Sequence, residues 1–125
     1  MITLKTLKDA TAQEVFNQVT THLLNQNCRS VNKVGYDGVE SCMYHGNGGL
    51  KCAAGCLIGD DEYRKDMEGY DWPELVDKGR VPAYHLGLIT KLQKVHDGLT
   101  PNMWVENLKN TAKEYGLKFN FGGEK

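Results

Sequence analysis

Cys42 to Tyr63 reads CMYHGNGGLKCAAGCLIGDDEY, and how this stretch folds decides the class of the whole chain. It holds three of the 4 cysteines, five of the 14 glycines and an Asn47-Gly48 pair. Asn-Gly favours the left-handed backbone of a tight hairpin turn. Val39 to His45 is a plausible strand, and Gly46 to Gly49 supplies the turn. Leu50 to Ile58 is small and apolar, and we read it as a short returning strand that leads into helix. The expectation is a β-hairpin over about 39–53.

Working outward, the flanking segments read as helices. Thr11-Ala12-Gln13-Glu14 has the form of a capping box, and Val15, Val19 and Leu23 follow at spacings of four. They predict a helix over about 11–26. Cys28 to Asp37 is polar and mixed, a loop with room for a short strand. Asp71-Trp72-Pro73-Glu74 opens a helix over about 72–78, with Gly79 as its stop. Pro82 starts a helix to about 97, with Leu88, Leu92 and Val95 on one stripe and Gly98 behind it. Thr100-Pro101 caps a last helix over about 101–115, in which Trp104, Leu108, Ala112 and Tyr115 share a face. Leu117, Phe119 and Phe121 alternate, as in a short strand or an apolar tail. The expected class is α+β: a small helix-rich single domain over 1–125 with one β-hairpin.

The chain has 125 residues, of which 40% are hydrophobic and 25% charged, the profile of a soluble globular domain. A net charge of -1 leaves no surplus for counterion release and disfavours a general nucleic-acid binder. No apolar run approaches the ~18 residues needed to span a bilayer, and the N-terminus lacks a signal-peptide core. A cytoplasmic protein is expected, with its cysteines as thiols or metal ligands rather than disulfides. The charge is uneven. Asp60 to Lys78 carries eight acids, Asp60, Asp61, Glu62, Asp66, Glu68, Asp71, Glu74 and Asp77, against Arg64, Lys65 and Lys78. Such a run solvates a face or meets a basic partner.

Four chemistries are open from the residues. Cys28, Cys42, Cys52 and Cys56, with His45 nearby, hold the donor types of a structural zinc site, but their spacing suits buried thiols better. Cys52 or Cys56 with His85 or His96 outlines a cysteine-dependent hydrolase, without any nucleophile signature beside either cysteine. Gly46 to Gly49 beside Lys51 has the composition of an anion-holding nest, although a hairpin turn explains it as well. The aromatics Tyr44, Tyr63 and Trp72, with Lys51, Arg64 and Arg80, are the candidates for stacking on a ligand and pairing with phosphate. No cofactor or metal is expected.

The series Cys42-x-Tyr44-x-Gly46-x-x-Gly49-Leu50-Lys51-Cys52-Ala53-Ala54-Gly55-Cys56-Leu57-Ile58, followed by Asp60-Asp61-Glu62-Tyr63, resembles a family of small uncharacterised proteins of tailed bacteriophages and bacteria. Leu92-Gln93-Lys94-Val95-His96-Asp97 is similar to the second recurring stretch of that family, and the resemblance covers about residues 9–117. It implies a setting, an accessory protein inside an infected bacterial cell, and carries no activity and no catalytic residue. The expected function is binding by occupancy. Either a small anionic, cyclic-nucleotide-like signal is sequestered, with oligomerisation to bury it, or a host protein is inhibited through the acidic segment. A small hydrolase and a zinc-stabilised module are the alternatives.

Overall fold

Thr11 closes the capping box that its sequence predicts. Its Oγ1 accepts from the Glu14 amide at 3.1 Å, and the Glu14 carboxylate accepts from the Thr11 amide at 2.8 Å. Such a cap contributes about 1 kcal/mol and sets the start of α1 (Ala12–Gln26). A computed structural model describes residues 1–34 and 39–119, with 31–34, 39–41 and 47 described in backbone alone. Asp71 and Glu74 repeat the reciprocal cap at the start of α2 (Trp72–Asp77).

The third helix, α3 (Leu86–Gly98), starts four residues later than Pro82 predicts. His85 adopts a left-handed backbone (φ 60) that breaks the run, and its ring Nε2 donates to the Ala10 carbonyl at 2.8 Å. After a 3-10 turn at Pro101–Met103, α4 (Trp104–Glu114) closes the bundle. α1, α3 and α4 pack on one another, and α2 packs on α3. Phe16, Leu23, Trp72, Leu92, Trp104 and Leu108 are fully buried at their centre. Leu117 and Phe119 pack against this core from an irregular tail, tied by Lys118 to the Gln13 side chain; Phe121 lies outside the described residues. Among the described residues, no helix is long and apolar enough to cross a membrane.

The α+β expectation is corrected. The domain is helix-dominated, and the hairpin over 39–53 does not form. The short strand β2 (Val39–Cys42) pairs backwards in sequence, with β1 (Val31–Val34), in an antiparallel ribbon of four residue pairs. Beyond Cys42, among the described residues, the ladder is reduced to one bridge, His45 with Lys51. Gly48 and Gly49 do take positive φ (70 and 80), yet they close a local 3-10 turn rather than joining two strands. Leu50 to Ile58 then passes through a second 3-10 turn, Gly55–Leu57, packed on α1.

Side chains do the work that a partner strand would have done. Gln26 accepts from the Lys51 amide at 3.0 Å, and His22 and Gln26 both donate to the Lys51 carbonyl. Gln18 donates to the Cys56 carbonyl, and Gln93 of α3 accepts from the Ala54 amide at 2.8 Å. Gln18, His22 and Gln26 are spaced by four and form one polar stripe of α1 turned to this loop. Buried backbone groups need partners, and here helix side chains supply them.

Candidate functional site

Cys42, His96 and Asp97 place a thiol, an imidazole nitrogen and a carboxylate oxygen within 4.8 Å of one another. His96 is fully buried on α3, stacked near Trp104 with ring centroids 5.6 Å apart. The Ser30 backbone amide donates to its Nε2 at 2.9 Å. A backbone N–H can only donate, so Nε2 keeps its lone pair and the ring proton sits on Nδ1. From there it donates to Asp97 Oδ1 at 2.6 Å. Gln93 Nε2 donates to both Asp97 oxygens, each at 3.1 Å. Arg29 Nη2 approaches the Cys42 sulfur at 3.7 Å. The result is a continuous network running from the Ala54 amide through Gln93 and Asp97 to His96 and Ser30.

This network is wired as hydrogen bonds rather than as a metal cage. A metal on His96 Nδ1 would force the proton to Nε2, where it would face the Ser30 N–H. Nor do the four cysteines gather. Cys28 is exposed and Cys52 fully buried, and the described ligand cluster contains Cys42 alone of the four.

A cleft opens beside the network. Its first lobe, about 540 Å³, is walled by Cys42, Tyr44, Glu68, Tyr70, Asp71 and Asp97, with no lysine or arginine among the described residues that line it. Its second lobe, about 510 Å³, shares Asp71, Gln93 and Asp97 with the first and adds Trp72, Thr90 and Lys94. Glu68 organises the wall. Its two oxygens accept from the Tyr44 amide (2.9 Å), the His45 amide (3.2 Å) and the Tyr63 hydroxyl (2.6 Å).

The six residues expected to bind a ligand do not share a face. Tyr44 lines the cleft, but it is buried, its hydroxyl donates to the Tyr70 carbonyl at 2.6 Å, and burial pushes its phenol far up. Trp72 is buried beside it, edge-to-face at 6.1 Å. Tyr63 stacks on His45 at 4.3 Å, outside the cleft lining, with its phenol raised by burial and by the bond to Glu68. Lys51 pairs with Asp60 at 3.2 Å and Arg80 with Asp66 at 3.1 Å, while Arg64 is exposed. Neither lobe is lined by Lys51, Arg64 or Arg80. The residues that do converge are Cys42, Glu68, Gln93 and Asp97, together with His96. The sequence marks Glu68 only as one acid of the Asp60 to Lys78 run and Gln93 only as part of the second motif stretch, with no role for either. A clue was available in Gln93 and Asp97 standing four apart on one helix.

The thiols are resting thiols. Burial raises Cys42, with the Arg29 contact opposing, and it pushes Cys56 up to about 12 and Cys52 further. Cys52 Sγ accepts from the Gly55 amide, and Cys56 Sγ donates to the Ala53 carbonyl. His96 has both nitrogens engaged elsewhere and serves neither as a base. At about pH 8, iodoacetamide should therefore label exposed Cys28 first and Cys42, Cys52 and Cys56 at least about tenfold more slowly. The Cys42 rate should keep climbing above the usual thiol range. Fast labelling of Cys42 at neutral pH, read by peptide mass spectrometry, would instead mark an activated nucleophile.

No protein-family model matches the chain, and no curated protein and no solved structure matches it.

Proposed function

We propose that this protein acts by occupancy, engaging a basic surface of a partner protein through its acidic face. The observation that carries this reading is the charge of the cleft. Glu68, Asp71 and Asp97 line it, and among the described lining residues Lys94 alone is a lysine or arginine. In the same acidic run Asp66, Asp71, Glu74 and Asp77 are exposed. A like-charged anionic signal gains nothing from such a field, whereas a cationic surface is drawn to it. The resemblance to bacteriophage proteins supplies the setting, in which the partner is a protein of the bacterial host. The resting thiols give a cysteine hydrolase little support.

The test is affinity capture from bacterial lysate with the wild type and with the triple variant Asp71→Asn, Glu74→Gln, Asp77→Asn, followed by elution with salt. Asn keeps the helix cap at position 71. The expected outcome is a basic protein retained by the wild type, released by roughly 0.5 M salt and lost from the variant. Identical captures by both proteins, or a nucleotide-sized adduct in the native mass spectrum, would refute the reading.

A further inference from the structure

We propose that the seam between α1 and the Gly59–Glu62 turn is a site for an extended peptide, and that residues 2–5 of this chain are its resident, exchangeable occupant. The site is separate from the acidic cleft, since neither Gln18 nor Glu62 is among the described residues that line it. Gln18 accepts from the Ile2 amide at 2.7 Å and donates to the Ile2 carbonyl at 2.9 Å. One carboxamide thus takes both backbone groups of one residue, as a neighbouring antiparallel strand would. Glu62 then accepts from the Leu4 amide at 2.9 Å and the Lys5 amide at 3.1 Å, one on each oxygen. Ile2 and Leu4 pack partly buried against the core. Both readers are also anchored without residues 2–5. Gln18 Nε2 donates to the Cys56 carbonyl at 3.1 Å, and Glu62 Oε1 accepts from the Gly59 amide at 2.8 Å. They keep their aim when the occupant leaves, which lowers the ordering cost of taking another.

A second observation is how little else holds residues 2–5. Among the described residues, no backbone–backbone hydrogen bond joins them to another element. Thr3 and Thr6 close a local turn on themselves, the Thr6 amide donating to the Thr3 carbonyl and the Thr3 amide to the Thr6 hydroxyl. Lys5 adds an exposed pair with Asp61 at 3.4 Å, which solvent leaves weak. The first fully buried anchor along the chain is Leu7. A segment held by so few bonds opens locally, well below the cost of unfolding the bundle. Two hollows of about 770 and 440 Å³ share Met1, Asn17 and Gln18 as walls, so opening joins them into one trough along α1. Gln26 holds the Lys51 amide and carbonyl in the manner of Gln18, so this face of α1 reads extended backbone twice. The ligand this chemistry takes is an extended peptide with apolar side chains at two alternate positions. It also needs free N–H groups at the second of these and at the residue after it.

Hydrogen exchange of the wild type, followed by NMR, tests the opening. The Leu4 and Lys5 amides should exchange at least about a hundredfold faster than those of Val19 and Leu23, with little dependence on urea. Equal rates at all four would make residues 2–5 part of the cooperative fold and overturn the proposal. The seat is tested by adding acetyl-Ile-Thr-Leu-Lys-Thr-amide, the sequence of residues 2–6, to the Leu4→Asp variant of the full chain. That substitution sets a like charge beside Glu62 and unseats the resident segment; Ile2→Asp takes its place if it does not fold. The peptide should bind saturably at roughly 0.1–1 mM and shift the Gly59 amide and Gln18 carboxamide peaks. On the wild type it should bind more weakly, because the tethered segment competes at a high effective concentration. A version with N-methyl-leucine keeps the side chain and lacks the amide hydrogen that Glu62 accepts, and it should bind about tenfold more weakly. No saturable shift on a folded variant, or equal binding by the N-methyl peptide, would overturn the seat.

Discussion

Gly55→Ala should lower stability by about 3 kcal/mol or more, enough to move the melting temperature by roughly 10 °C or to prevent folding. A Cβ on residue 55 would lie 2.0 Å from the Tyr44 carbonyl oxygen and 2.7 Å from its carbon. Such a contact is relieved by moving backbone, not by turning a side chain. The Tyr44 peptide has nowhere to go. Its amide is held by Glu68, its carbonyl accepts from the Cys52 amide, and its hydroxyl is held by the Tyr70 carbonyl. Gly48 provides the contrast. Its φ is 70 and nothing lies within 4 Å of its Cβ position, so Gly48→Ala should cost only about 1 kcal/mol of backbone strain. Equal, small losses for both variants in urea unfolding would show that the close approach of Gly55 to Tyr44 is absent in solution.

His96→Ala is the second large loss, about 3–4 kcal/mol. It removes a fully buried ring stacked near Trp104 and leaves a cavity. It also leaves the Ser30 amide without its acceptor and Asp97 without its 2.6 Å donor. An unpaired buried amide alone costs about 1–3 kcal/mol. His96→Gln separates the two contributions, because a glutamine carbonyl can reach towards the Ser30 amide while the stacked ring is lost. We expect it to recover roughly half of the stability, since the amide penalty is of that order. If Gln is no better than Ala, the Ser30 bond contributes nothing. If both variants melt with the wild type, His96 does not tie α3 to the segment before β1.

The helices were legible because their signals are local. Thr11 with Glu14, and Asp71 with Glu74, satisfy one another's backbone within a single turn, and no distant residue is needed. The spacing of Val15, Val19 and Leu23, and of Leu88, Leu92 and Val95, likewise announces which face is buried. The hairpin was misread for the complementary reason. Asn47-Gly48 does make a turn, but the segment after it finds its partners in Gln18, His22 and Gln26 of α1 and in Gln93 of α3. No rule of strand composition sees those helices.

The candidate site follows the same division. Cys42 and Tyr44 belong to the first motif stretch and Gln93, His96 and Asp97 to the second, and only packing brings them to one cleft. The expected ligand set leaned on residue type, whereas exposure is a tertiary property: Trp72 and Tyr44 are core, and Lys51 and Arg80 are paired with Asp60 and Asp66. By itself the sequence determined where the first two helices begin, which helix faces are apolar, and that an acidic run borders the second helix. The tertiary structure alone decided that Leu50 to Ile58 is a side-chain-clasped loop, that His96 is neutral and proton-bearing on Nδ1, and that Asp97 stands at the junction of two lobes. Caps and periodicity are properties of neighbouring residues. A tautomer, a clash and a cleft are properties of residues brought together from distant parts of the chain.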